Sequence, residues 1–137
     1  MAGKIFYAAS GMGPKLRGTV LVASDGFSAR YDLDRVRGVF SRPEHMLAGQ
    51  SYRDRVLVLD AAKGGVATAW MLHEMKARGV MPAALVLNHV NPIMVQGAAL
   101  AAFTMISGFD CDITTVIPNG AEVEIDPQAE RPFIRVI

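Results

Sequence analysis

Apolar residues come in short bursts along the first half of this chain and in longer, alternating blocks along the second. Lys4–Ala8 and Gly18–Ser24 (GTVLVAS) read as short strands, and Val36–Phe40 follows as a third. Turn signals at Asp25-Gly26 and Gly38 separate them. Ser41 to Asp54 (SRPEHMLAGQSYRD) has no period and predicts a long loop. Loops of that length inside a compact domain tend to be functional or mobile.

The second half predicts strands alternating with helices. Arg55–Asp60 (RVLVLD) is a compact apolar, β-branched run, and Ala61–Gly65 is a small glycine-containing turn. Val66–Arg78 (VATAWMLHEMKAR) reads as a helix that Gly79 stops. Ala83–Leu87 (AALVL) predicts a second buried strand. Asn91 then suits an N-cap and Pro92 a first helical position, for a helix from about Pro92 to Met105. Asp112–Ile117 predicts a third strand, Asn119-Gly120 a tight turn into Glu122–Ile125 to make a hairpin, and Phe133–Ile137 a last strand. Strand–helix–strand–helix–strand implies parallel pairing with right-handed crossovers. Continuous apolar strands fit a sheet covered on both faces. The expectation is an α/β chain, a mixed sheet with a parallel β-α-β-α-β core plus antiparallel strands and a hairpin, as one domain over residues 1–137.

Composition narrows the function classes. Of 137 residues, 51% are hydrophobic, enough for a sizeable core and against disorder. With 14 basic and 13 acidic residues there is no basic excess of the kind a nucleic-acid binder needs. The charged fraction of 20% is slightly low for a soluble monomer and hints at a covered face. The uncharged run from Val90 to Phe109 carries polar interruptions, which predicts a buried helix rather than a membrane span. The amino-terminal residues lack the apolar core of a secretory signal, so the expected location is the cytoplasm. Cys111 is the only cysteine, too few for an iron–sulfur or Cys-rich zinc site in this chain.

Several residues are candidates for chemistry. In Asp60-Ala61-Ala62-Lys63-Gly64-Gly65, two glycines allow close backbone approach ahead of a helix amino end. Free N–H groups and partial positive charge there suit a carboxylate or phosphate, and Lys63 adds a full charge. The plainer reading is a tight strand-to-helix turn, since no P-loop or dinucleotide fingerprint is present. Asn88, His89 and Asn91 follow the second parallel strand, and open α/β sheets bind ligands outside the carboxyl ends of their strands. Asn88 can instead satisfy a turn, and Asn91 a helix cap. His45 and Gln50 sit in the long polar loop, where functional residues concentrate. His73 reads as a surface residue of its helix, and Met71, Met75, Met94 and Met105 as core filler. No metal triad or nucleophile elbow appears.

A series of segments resembles the swivel domain of the aconitase X family: Gly49-Gln50-Ser51, Arg55–Leu59, Lys63-Gly64-Gly65, Gly79–Val86 and Gly97-Ala98. No single segment is highly specific, but their order and spacing are, over roughly residues 18 to 125. The resemblance implies a swivelling β/β/α fold. It implies a hydro-lyase in which a larger catalytic subunit carries an iron–sulfur cluster, with no cofactor held by the small domain. The implied substrates are small hydroxy acids such as cis-3-hydroxy-L-proline or mevalonate 5-phosphate. It places Lys63, Gly64 and Gly65 against the substrate; Asn88, by its place after a strand, and His45 and Gln50, near the matched loop, are further candidate contacts. One departure matters. The family's turn reads Gly-Lys-Gly-Ser, and its Ser falls on Gly65 here, with Ala62 in place of the first Gly. The turn's later Ser falls on Ala69, beside Thr68. Gly65 offers a backbone N–H and no hydroxyl, which leaves open a non-catalytic swivel module that docks on a larger protein.

Overall fold

The computed structural model describes residues 3–26, 33–34, 37–61, 66–90, 99 and 103–137. The elements are β1 (Ile5–Tyr7), β2 (Ser10–Met12), β3 (Leu16–Val22), β4 (Leu33–Asp34), β5 (Val39–Phe40), β6 (Val56–Ala61), α1 (Val66–Arg78), β7 (Ala84–His89), β8 (Thr104–Ser107), α2 (Ile113–Val116), β9 (Glu122–Asp126) and β10 (Phe133–Val136).

Eight of these strands form one sheet in the order β1-β10-β9-β3-β6-β7-β8-β2. The stretch β3-β6-β7-β8 is parallel throughout, and the pairs on either side of it are antiparallel. β1 and β2 stand at opposite ends of that order, yet only Ala8 and Ala9 separate them along the chain, so the sheet folds round on itself.

Side-chain size sorts the two faces of the parallel strands. Val56 and Val58, Ala84 and Val86, and Ile106 point into a core that they share with Val123, Ile125, Ile134 and Val136 of the antiparallel strands. Leu57, Leu59, Leu85, Leu87 and Met105 point the other way, into a core with Met75 of α1 and with Phe40, Leu47 and Tyr52 of the 39–55 region. Strand geometry sends successive residues to opposite faces. Short branched side chains thus fill the sheet-on-sheet layer, and long ones reach out to the helix and loop. The result is the mixed β/β/α architecture.

The predicted helix at 66–78 is present with its predicted stop. Gly79 has φ +72°, its N–H donates to Lys76, and the N–H of Val80 donates to the carbonyl of Met75. That pair of bonds is a Schellman motif. Lys76 and Arg78 occupy the last turn, and Arg78 pairs with Glu74 at 3.2 Å.

Three expectations are corrected. The predicted strand at Asp112–Ile117 is instead the short helix α2, with the Asp112 side chain accepting from the Thr114 N–H as N-cap. Its Ile-Thr-Thr-Val sequence has the β-branched look of a strand, and the cap decides against it. The third parallel strand is β8, where the predicted second helix was to finish. All four of its residues are buried, and they pair with Ala84–Leu87 of β7. The turn at Asn119-Gly120 does not close a hairpin with 112–117. It leads from α2 into β9, which pairs with β3 and β10. Asn119 Oδ1 accepts from the N–H of Val22, and the Gly120 N–H donates to Val20. β2 was not anticipated. The caps proposed at Asn91 and Pro92 lie outside the described residues.

Candidate functional site

Four parallel strands end on one edge, and the residues that follow them meet there. Ser24 and Asp25 follow β3, Asp60 and Ala61 end β6, Asn88 and His89 end β7, and Gly108–Asp112 follow β8. A pocket of about 310 Å³ opens on this edge, lined by Asp60, Asn88, His89, Phe109, Asp110, Cys111 and Asp112. The expectation that the second parallel strand delivers Asn88 to a carboxyl-end crevice matches this placement.

Asn88 is the hub of the edge. Its Nδ2 donates to Asp60 Oδ1 at 3.0 Å and to Asp112 Oδ1 at 2.8 Å, and its Oδ1 accepts from the Ile113 N–H at 2.9 Å. Both amide hydrogens are therefore spent within the protein. Asp112 Oδ1 also accepts from the Thr114 N–H and hydroxyl, and the Thr114 hydroxyl lies 3.0 Å from that of Ser24. The Asp60 N–H donates to the carbonyl of Asp25. These bonds form a ring that ties the β3, β6 and β7 ends to the segment beyond β8. The side-chain bonds from Thr114 and then Asn88 hold the Asp112 carboxyl below its ordinary range. Burial and the carboxylates of Asp110 and Asp112 push the exposed Cys111 thiol up, away from a reactive thiolate.

The long loop is anchored to the same edge through Asp25. Burial raises the Asp25 carboxyl, but N–H donation from Gly26 and Met46 with the nearby His45 and Arg42 outweighs it and leaves the group lowered. His45 is buried and stacks on Phe40 with ring centroids 4.6 Å apart. Its Nδ1 accepts from the Leu47 N–H, so the proton sits on Nε2, which donates to the Gly26 carbonyl at 2.8 Å. The structure thus places this candidate inside the loop's own packing. Gln50 is exposed, and its carbonyl accepts from the Phe40 N–H. Lys63, Gly64 and Gly65 lie outside the described residues. β6 ends at Ala61 and α1 starts at Val66, so the four residues 62–65 join a strand's carboxyl end to the amino end of a 13-residue helix.

Sequence reasoning missed Asp112 and Thr114 as members of the edge and named Asp60 only as the first residue of the Asp60–Gly65 segment. A signal for Asp112 was present: Asp is among the preferred N-cap residues. Among the described residues, no group of three or more His, Cys, Asp or Glu is arranged to hold a metal ion. None of their helices is long and apolar enough to cross a membrane.

The family model of the aconitase X swivel domain matches residues 5–135. The chain belongs to the aconitase X swivel-domain family. It is 30% identical over 109 residues to the phosphomevalonate dehydratase small subunit of Methanococcoides burtonii, covering 80% of each chain. It is 32% identical over 108 residues to the protein of the same name from Methanopyrus kandleri, covering 79% of this chain and 80% of that one. Thermococcus kodakaraensis aconitase X in its holo-form has the same fold, with a TM-score of 0.89 over 98% of this chain and 99% of that one, at 21% identity. Over about four-fifths of its length the chain is thus similar to proteins named as small subunits of a dehydratase.

Proposed function

We propose that this swivel subunit closes over a small anionic hydroxy acid held by a large aconitase X catalytic subunit, and that the complex eliminates water from it. The observation that carries this reading is the direct link from the β6 carboxyl end through residues 62–65 to the amino end of α1. A helix of that length presents free N–H groups and partial positive charge to an anion, and Lys63 adds a full charge. The rest of the edge is acidic, with Asp60, Asp110 and Asp112 around the pocket. Attraction of an anion therefore falls to Lys63, Gly64 and Gly65.

Mevalonate 5-phosphate is the first substrate choice, because the relatives matched over four-fifths of their length are named phosphomevalonate dehydratase small subunits. cis-3-Hydroxy-L-proline is the second. In either case a C–H and a C–O bond break, a C=C bond forms and water leaves. An iron–sulfur cluster, assigned to the large subunit because this chain has a single cysteine, would supply Lewis acidity for loss of the hydroxyl. This chain's part is to bind the anionic end, orient it and exclude water on closure. We assign the work to the cytoplasm, where an exposed free thiol such as Cys111 stays reduced.

A second reading is a non-catalytic module that docks on a larger protein, favoured by Gly65 where the family has Ser. Co-purification with the large subunit, followed by assays on both substrates, separates the two. The first reading expects turnover of one of them; the second expects a stable complex that turns over neither.

A further inference from the structure

We infer that Asn88 is a positioning residue of the dehydratase site, a strap that fixes the end of β6 against the end of β7 and the 110–114 segment, and not a ligand of the substrate. The inference rests on the proposed function for its catalytic consequence, but its geometry stands alone.

Both Asn88 amide hydrogens are committed, one to Asp60 and one to Asp112, and its carbonyl accepts from the Ile113 N–H. A substrate atom seeking a donor here has to break one of those bonds and leave a carboxylate unpaired. The two acceptors belong to different parts of the edge. Asp60 is the next-to-last residue of β6, and residues 62–65 follow that strand in the chain. Asp112 caps α2 and lies beyond β8. Only a side chain with two N–H donors on one atom and an acceptor beside it joins all three partners at once, and an amide of this length has that geometry. The strap also holds two carboxylates on one nitrogen. Hydrogen bonds to charged acceptors are stronger than neutral ones, so the edge is set before substrate arrives. A displacement of about 1 Å at a reacting centre costs up to roughly 100-fold in rate.

The test uses the full chain in complex with its large subunit. Asn88→Ala is expected to lower kcat by roughly 10- to 100-fold with little change in KM. It is also expected to speed amide exchange at residues 59–61 and 110–114 while leaving β9 and β10 protected. Asn88→Asp keeps the shape but removes both donors. It puts a third carboxylate beside Asp60 and Asp112, in a pocket that also holds His89, Asp110 and Cys111. Protonation of that cluster restores one O–H donor, so the variant-to-wild-type rate ratio is expected to climb as pH falls toward the carboxylate range. Asp60→Ala is the safeguard against misfolding: Asp60 is exposed, and its loss cuts only the β6 half of the strap. A smaller fall in kcat, with faster exchange at 59–61 alone, is the expected result.

Unchanged kcat and unchanged exchange in Asn88→Ala overturn the inference. So does a raised KM with unchanged exchange, which makes Asn88 a substrate ligand. If the wild-type complex turns over neither substrate, the proposed function fails, and the exchange pattern alone then decides whether the strap exists.

Discussion

Asn88 Nδ2 donates to Asp112 Oδ1 across 2.8 Å, joining the end of a central strand to the cap of a helix that the chain reaches only after another strand. The same carboxylate oxygen accepts from the backbone and hydroxyl of Thr114. One exposed aspartate therefore both starts α2 and closes the edge of the sheet.

That arrangement makes the edge sensitive to acid. The hydrogen bonds on Asp112 lower its folded-state pKa, so the unfolded chain takes up the proton first. The stability it brings is in place above the ordinary carboxylate value near 4, and it fades as pH falls through the lower folded value. Asp25 is lowered as well and acts in the same direction. Urea midpoints measured at descending pH are expected to fall steeply for the wild type and less steeply for Asp112→Asn. At neutral pH, Asp112→Ala is expected to cost about 1 kcal/mol for the lost cap.

The loop between β5 and β6 is built around His45. His45→Ala removes a buried ring stacked on Phe40 and strips partners from the Gly26 carbonyl and the Leu47 N–H. The expected cost is about 3 kcal/mol by chemical denaturation. His45→Phe keeps a ring there and loses the hydrogen bonds, so about 1–3 kcal/mol is expected. Equal stability of the wild type and His45→Phe would show that the ring's polar contacts carry no weight.

Gly13 and Gly79 both have positive φ, and alanine at the two sites separates backbone strain from collision. A Cβ on Gly13 meets the Phe103 carbonyl oxygen and the Thr104 Cα at 2.6 Å, atoms of a neighbouring backbone that no rotamer change relieves. A Cβ on Gly79 meets nothing within 4 Å. Gly79→Ala is expected to cost about 1–2 kcal/mol, the left-handed penalty alone. Gly13→Ala is expected to cost at least about 3 kcal/mol, or to prevent folding. Thermal melts of the two variants side by side make the comparison.

The anion site assigned to residues 62–65 is tested by charge. In the active complex, Lys63→Ala is expected to raise KM for mevalonate 5-phosphate by about tenfold or more, through loss of a charge-assisted contact of roughly 1.5–3 kcal/mol. Raised ionic strength is expected to weaken wild-type binding more than that of the variant. Steady-state kinetics at two salt concentrations decide it. An unchanged KM removes Lys63 from the site.

The parallel core was legible where local pattern and tertiary role agree. Val56–Leu59 and Ala84–Leu87 are buried on both faces and read as unbroken apolar runs. Val66–Arg78 carries its own stop in Gly79. Legibility failed where short segments take their state from distant partners. Thr104–Ser107 is a strand because β7 and β2 flank it, and Ile113–Val116 is a helix because Asp112 caps it. The candidate site divided in the same way. Asn88 was found by its place after a strand, but its partners Asp60 and Asp112 stand 28 and 24 residues away, beyond any local pattern. His45 read as a functional candidate of a polar loop because nothing in its neighbours along the chain announces that it packs on Phe40 and bonds to Gly26.

The most direct test of the account is a titration of the iron-loaded large subunit with this chain, following dehydration of mevalonate 5-phosphate. The account predicts negligible turnover from either subunit alone and a rate that rises to saturation at equimolar mixing. Full activity of the large subunit without this chain, or no activity with mevalonate 5-phosphate or cis-3-hydroxy-L-proline at any ratio, contradicts it.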